Sequence, residues 1–456
     1  MNTISNIQSI YFVGIGGIGM SALARFAIKK NLAVFGYDKT QTALTATLEK
    51  EGADITFVDS VSSLPPKVKN NTSILVVYTP AIPEDNKILQ WFTQQDYRVI
   101  KRAEFLGELT QDTLCLAVAG THGKTTTSAI LGHLLAYCDM PVTAFLGGIT
   151  ENYKSNFISK GTAITVVEAD EFDRSFLTLK PDIACITSMD ADHLDIYGDA
   201  SALEASFLAF ADLVHDKDKL LHKKGLPLQG QSVALEDSAA YQGKNIRIEN
   251  GAYKFDFITP EVTLRDVSFC LPGHHNLHNA VTALSMAILA GAPTHLLKEA
   301  LSKFKGVERR FSYRIRRDDL VLIDDYAHHP TELDALYQGV SEMYPDDQKL
   351  IVFQPHLFSR TRDFIDSFAE SLAKFDQVML LDIYPARETP IEGVNSSWLL
   401  EKIKKIVIDV DNISLVSKQS LPEHLKKSSC RIKLLVGAGD IGAEVSHITK
   451  ILEHEN

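Results

Sequence analysis

Between residues 9 and 105, short apolar runs alternate with amphipathic stretches. The runs "IYFVG", "AVFGYD", "ITFV", "ILVVY" and "YRVI" predict strands, and the segments near 17–30, 40–51 and 85–95 predict helices. Strand and helix in turn is the signature of a parallel sheet with helices on its faces. The stretch "KRAEFLGELTQD" then predicts a helix and linker.

A second cycle begins at "TLCLAVAG" and runs through "GKTTTSAILGHLLAYC", "PVTAFLGG", "AITVVEAD" and "IACITSM". Residues 219–272 break the rhythm: short β-like pieces with polar turns predict an antiparallel patch, followed by a helical stretch over 276–304. Pattern is lost again at "FKGVERRFSYR". A third cycle follows, with "LVLIDDY", a helix from Thr331, "KLIVFQP", a helix from Ser359, "QVMLLDIY" and "IKLLVGAGD". The expectation is an α/β chain of three units, 1–109, 110–307 and 308–456, in keeping with roughly 150 residues per domain.

Composition narrows the ligand classes. The 456 residues are 45% apolar and carry a net charge of −12, so the surface as a whole repels nucleic acid and anionic membrane. Anionic ligands then need local cations, backbone amides or metal ions. The five cysteines, at 115, 138, 185, 270 and 430, lack metal-ligand or redox spacing and suit reduced thiols in a cytoplasm. The N-terminal residues lack a basic region followed by an apolar core, and no apolar run nears 18 residues, which supports neither export nor membrane insertion.

Candidate chemistry begins at "YFVGIGGIGMSA", where Gly14, Gly16 and Gly19 satisfy G-x-G-x-x-G and Asp38 ends the next apolar run. That is the spacing of a dinucleotide fingerprint. It accommodates a nicotinamide cofactor, but a glycine turn at a helix N-terminus attracts any diphosphate. The same spelling recurs as Gly437, Gly439 and Gly442, where tight strand–helix packing is the favoured explanation.

The stretch Gly120-Thr121-His122-Gly123-Lys124-Thr125-Thr126 lies between an apolar strand and a helix. Its backbone amides suit phosphate oxygens, Lys124 the β/γ-phosphates and the Thr125 hydroxyl Mg²⁺. Val118 stands where the full Walker pattern has glycine. Two strands later, "EADEFD" gathers Glu168, Asp170, Glu171 and Asp173, which repel one another unless solvated or bound to cations. Beside a phosphate loop, a strand-end acid is a Mg²⁺ ligand candidate. His193, in "DADHLDIYGD", ends a further strand of the same sheet.

These motifs, with "PGHHNLHNAVTA", "ERRF", "DDYAHHPTE" and "FQPHLFSRTRD" in this order, resemble the Mur ligases nearly end to end. The resemblance implies a three-domain architecture. A Rossmann-like N-terminal domain holds a UDP-sugar, a central P-loop ATPase-like domain holds ATP, and a Rossmann-like C-terminal domain holds an amino acid and closes over both. It also implies ATP and Mg²⁺ as cofactors and an acyl-phosphate route from the lactyl carboxylate of UDP-N-acetylmuramate to an amide.

Residue by residue, the resemblance assigns the UDP-sugar to Gly14, Gly16, Gly17, Ile18, Gly19, Ser21 and Asp38. ATP falls to Gly120–Thr126 with His275, Asn276, Asn279, Arg310 and Asp325. One Mg²⁺ sits on Thr125 and Glu168, and a second near His193. The chemistry is expected of Lys124, Glu168, His193 and His329. The amino acid is expected on Tyr326 or His329, with Arg360 and Arg362 on its carboxylate, since guanidinium forks match carboxylates. Asn276 is equally suited to cap the helix that it opens.

Within the family, "GIGGIGMS" and "FQPHLFSRTRD" look like the branch that adds L-alanine. Leu357-Phe358 replaces the Arg-Tyr of many members, which removes one cation and bears on selectivity for alanine over glycine or serine; Arg387 is a possible substitute. Competing functions are a recycling ligase that joins a peptide to the sugar, an NAD-dependent oxidoreductase on Gly14–Gly19, and a nucleotide switch or transport ATPase. The expected partners are small molecules alone, the protein being a monomer or weak homodimer.

Overall fold

The computed structural model describes residues 7–190, 197, 199–249, 251–386, 388–407 and 409–453. By contacts the chain divides into two compact units. One comprises Met1–Arg247, Lys254–Phe269 and His278–Lys305, the other Ile248–Tyr253, Cys270–Leu277 and Gly306–Asn456.

The first unit opens with a five-stranded sheet in the order Asp54–Thr56, Ala33–Tyr37, Ser9–Val13, Leu75–Tyr78, Arg98–Lys101, parallel throughout. Ser9–Val13 is buried along its whole length, as a strand covered on both faces must be. Its neighbours lead to opposite sides of the sheet, so the Gly14 turn emerges at the point where strand order reverses. Open α/β sheets bind ligands there.

A ten-stranded sheet follows, in the order Thr263–Phe269, Ala252–Ile258, Tyr241–Glu249, Gln231–Leu235, Leu220–Lys223, Ile183–Ile186, Leu114–Ala119, Ile164–Glu168, Val142–Thr150, Ser155–Ser159. The phosphate-loop strand Leu114–Ala119 runs parallel to both neighbours, pairing Ala119 with Ile186 and Val118 with Glu168. That register brings three strand ends together. The helix Arg102–Thr110 ties the two sheets: Phe105 and Leu106 are buried in an apolar cluster that continues from Phe12 to Phe176 and Leu179.

In the second unit a six-stranded sheet has the order Ser312–Arg316, Val321–Asp325, Ile432–Val436, Lys349–Phe353, Gln377–Leu380, Ile413–Leu415. All pairs are parallel except the first, an antiparallel edge.

Two expectations need correction, and one strand is additional. The antiparallel patch over 219–272 is parallel where it joins the sheet: Leu220–Lys223, Gln231–Leu235 and Tyr241–Glu249 each run with the preceding strand. Short strands and polar turns carry no information on direction. The helical stretch 276–304 is two helices, His274–Leu289 and Thr294–Ser302, because Gly291 and Pro293 terminate the first and cap the second. The strand Ser155–Ser159, which forms a hairpin with Val142–Thr150, carries too few apolar residues to stand out in the sequence.

Candidate functional site

Gly123 caps the helix Lys124–Tyr137 at φ 87°, a conformation that L side chains rarely adopt, and a β-carbon there would stand 2.6 Å from Asn279 Oδ1. Glycine thus serves both the turn and the approach of Asn279, which packs against the phosphate loop itself. The loop is braced from the neighbouring strand end: Thr121 N donates to Ser188 O (3.2 Å), His122 N to Ser188 Oγ (2.7 Å) and Thr121 Oγ1 to Asp190 O (2.8 Å). The helix's first amides have no intrahelical partner, so a phosphate there meets N–H groups and the positive end of the dipole. Thr126 is buried in the first turn.

Lys124 Nζ donates to Gly120 O (2.7 Å) and to both carboxylate oxygens of Glu171 (2.7 and 2.9 Å). Burial pulls the ammonium's pKa down, but the combined pull of Glu171, Asp170 and Glu168 outweighs it and leaves it raised. Lys124 is therefore charged across the physiological range. Glu168 accepts from Gly147 N (2.6 Å), Ser128 Oγ (3.0 Å) and Thr125 Oγ1 (3.3 Å), and burial raises its pKa.

The pairing of a threonine hydroxyl with a carboxylate supplies two hard oxygen donors, a set that fits Mg²⁺ when phosphates complete the shell. Among the described residues no group of three or more His, Cys, Asp or Glu side chains is placed to hold a metal by itself. His193 lies outside the described residues, as does Arg387.

At the first glycine turn, Gly14 N and Ile15 N donate to Tyr37 O (2.7 and 3.0 Å), Gly17 N to Gly14 O (3.2 Å) and Gly16 N to Asp38 Oδ2 (2.7 Å). Asp38 therefore braces the turn while staying half-buried beside it. Ser21 lies beneath the turn. It is fully buried, its hydroxyl donates to Ile18 O (2.9 Å), and it receives Asn156 Nδ2 (2.9 Å) from the adjoining hairpin. Gly17 and Ile18 are exposed and Gly19 half-buried, so the helix start stays accessible. Arg102 lies against Gly19, 3.1 Å from where a β-carbon would stand, and 3.7 Å from Asp170. Its position in the helix following Lys101 gave no hint of this in the sequence.

The second unit gathers another constellation. Asp325 accepts from Phe311 N and Ala327 N (2.7 Å each), so both oxygens organise backbone, and burial raises its pKa to about 6. The Tyr326 ring lies 5.0 Å from the guanidinium carbons of Arg309 and Arg310. Arg310 is 3.9 Å from Glu332, which also accepts from His328 N (2.9 Å) and His329 N (3.2 Å). His329 is the buried cap of helix Pro330–Met343, and Glu332 closes a capping box that "HPTE" spells. Burial lowers the pKa of His328, whose ring lies 5.9 Å from that of His356.

Arg360 is buried, 3.2 Å from His356 Nδ1, whereas Arg362 is half-exposed and pairs with Asp363 at 2.7 Å. Residues two apart on a helix do not share a face, so the expected joint grip on one carboxylate is not built and Arg360 alone points to the constellation. Asn276 lies inside helix His274–Leu289 and donates to Pro272 O (2.7 Å), so it is not the cap; His275 is exposed. Glu171, Glu332, Arg102 and His356 are the residues that sequence reasoning did not single out for a role.

Comparison with known proteins extends this geometry. Residues 9–113 match the model of the Mur ligase family, catalytic domain, residues 118–287 the Mur ligase middle domain, and residues 309–430 the Mur ligase, glutamate ligase domain. The UDP-N-acetylmuramate–L-alanine ligase of Christiangramia forsetii is 55% identical over 456 residues, 100% of both chains. That of Flavobacterium psychrophilum is 55% identical over 99% of this chain and 100% of its own. Among solved structures, the UDP-N-acetylmuramate-alanine ligase of Thermotoga maritima superposes with a TM-score of 0.83 at 26% identity, covering 98% of this chain and 100% of its own. A murein peptide ligase from Psychrobacter arcticus shares the fold, with a TM-score of 0.68 at 21% identity over 98% of this chain and 99% of its own.

Proposed function

The chain belongs to the Mur ligase family, and from that premise we propose that it joins L-alanine to the lactyl carboxylate of UDP-N-acetylmuramate at the expense of ATP, a step of peptidoglycan precursor synthesis. The observation that carries this reading is the 55% identity over all 456 residues to a ligase of that specificity. The charged Lys124 at the mouth of a helix-capped phosphate loop agrees with it.

A carboxylate does not accept an amine until its oxygen becomes a leaving group. The lactyl carboxylate oxygen attacks the γ-phosphorus of ATP, and the bond to the β-bridging oxygen breaks, giving an acyl phosphate and ADP. The alanine amine then attacks the acyl carbon, and the tetrahedral species expels inorganic phosphate and a proton. Phosphoryl transfer between anions is chiefly a matter of positioning and charge neutralisation.

Lys124 supplies a fixed cation for the phosphates, and the amides that follow Gly123 supply donors. Thr125 and Glu168 are the ligands for Mg²⁺, which when bound screens the charge between the reacting anions; His193 is assigned to a second ion. His275, Asn276, Asn279, Arg310 and Asp325 are assigned to the nucleotide, and Tyr326, His329 and Arg360 to the amino acid. Gly17, Ile18 and Gly19 are assigned to the UDP diphosphate. We place the three domains at 1–109, 110–307 and 308–456, a division by sheet membership. Among the described residues no helix is long and apolar enough to cross a membrane; a cytoplasmic monomer or weak homodimer completes the proposal.

The test is ADP release from ATP with UDP-N-acetylmuramate and a panel of L-alanine, glycine, L-serine and the tripeptide that a recycling ligase takes. L-Alanine is expected to give the highest kcat/KM, with little turnover when the sugar is omitted. Preference for the tripeptide overturns the assignment.

A further inference from the structure

The carboxylate that binds Lys124 has no part in the chemistry above. Glu171 is fully buried (0% exposed), and its two oxygens lie 2.7 and 2.9 Å from Lys124 Nζ. An ammonium has three N–H donors, and Gly120 O engages it as well, at 2.7 Å. Most of the donor capacity of the phosphate-loop lysine is therefore committed within the protein.

The turn that carries Glu171 is strongly held. Asp173 and Arg174 follow at φ 54° and 53°, two consecutive left-handed residues neither of which is glycine. Such backbone persists only where its surroundings over-determine it. Tyr197 donates its hydroxyl to Glu171 O, the Arg174 guanidinium lies 5.5 Å from the Tyr197 ring, and Lys101 pairs with Asp173 at 3.5 Å. A carboxylate fixed in this way has the same sign as the nucleotide's phosphates and competes for the same ammonium.

We propose that Glu171 is a positioning residue that sets nucleotide affinity: it shares Lys124 with the phosphates and so weakens the hold on ATP and on the ADP product. The proposal rests on the phosphate loop being the ATP site. Neutralising Glu171 removes the carboxylate in direct contact with the Lys124 ammonium and leaves more of its charge to phosphate. A structural partner of Lys124, by contrast, leaves affinity lower or unchanged when it is replaced.

The experiment is calorimetric titration of ADP with Mg²⁺ into the full chain and its Glu171→Gln variant, which keeps shape and removes charge. The variant is expected to bind about tenfold more tightly, the scale of one charge contact in a partly open site. Equal or weaker binding by the folded variant overturns the proposal. Wild-type protein that binds no ADP overturns the ATP-site reading instead, and this inference with it. If Glu171→Gln does not fold, Glu171→Asp decides: it draws the charge back from Nζ by one methylene and is expected to bind two- to fivefold more tightly, on the order of half a decade. No gain in that variant is the contrary result.

Discussion

The chain spells G-x-G-x-x-G twice, and in both turns protein crowds the first two glycines, Gly14 by Thr79 and Gly16 by Asp38 and Thr45 in the first. The difference lies at the third glycine and in what stays exposed. At Gly14–Gly19 the turn closes on itself through Tyr37 and Asp38, while Ile18 stays 38% exposed and a flexible arginine, Arg102, overlies Gly19. At Gly437–Gly442 the space of each missing side chain is already filled. A β-carbon on Gly437 would stand 2.6 Å from the Gln354 carbonyl oxygen, one on Gly439 would meet Gln354 and Tyr384, and one on Gly442 would meet the Arg309 guanidinium. That guanidinium also donates to Gly437 O and lies near Asp324. One spacing thus leaves a helix start accessible and the other locks a strand to a helix. A glycine pattern reports that something comes close, and only its surroundings say whether that is ligand or protein.

The sharpest contrast adds a third turn, the one at residues 120–126, which carries a lysine that the other two lack. Lys124→Ala is expected to lower kcat/KM on the order of 10³-fold with folding retained, read by steady-state ADP release and a thermal melt. Next in size, Gly437→Ala is expected to destabilise the protein by about 2–4 kcal/mol, because its φ of 144° and the Gln354 backbone both oppose a β-carbon; denaturant unfolding measures it. Gly19→Ala is expected to raise the KM for UDP-N-acetylmuramate about fivefold, some 1 kcal/mol, with little change in melting temperature. If Gly19→Ala costs stability and Gly437→Ala costs only affinity, the comparison is reversed.

A further readout is a pH signature of the packed turn, since Asp325 O accepts the Gly437 amide at 3.1 Å. Asp325 has its carboxyl pKa raised, from 3.8 to about 6, by burial. Between those values the folded chain keeps a proton that the unfolded chain has lost, so this contribution to stability is present below pH 4 and is lost as pH rises through 6. Wild type is expected to lose stability across that window from this group, and Asp325→Asn to lose less. Unfolding curves at pH 4.5 and 6.5 compare them.

Much of this was legible because parallel strands buried on both faces read as continuous apolar runs; Ser9–Val13, Leu114–Ala119 and Ile432–Val436 all did. Ser155–Ser159 escaped because three of its five residues are polar and one of its two buried positions is Asn156. The phosphate loop was legible because glycine, lysine and threonine at fixed offsets have few other uses. Depth was not legible. "EADEFD" offers four acids, and only the fold separates half-buried Glu168, on Thr125, from fully buried Glu171, on Lys124. Likewise Arg360 and Arg362 look equivalent in sequence until the helix turns them apart.

The most direct test of the central claim counts products. Purified wild-type protein supplied with ATP, Mg²⁺, UDP-N-acetylmuramate and L-alanine is expected to form ADP and the alanyl amide in a one-to-one ratio, and Lys124→Ala to form both on the order of 10³-fold more slowly. Amide formed without ADP, or undiminished turnover in a folded Lys124→Ala variant, contradicts the account.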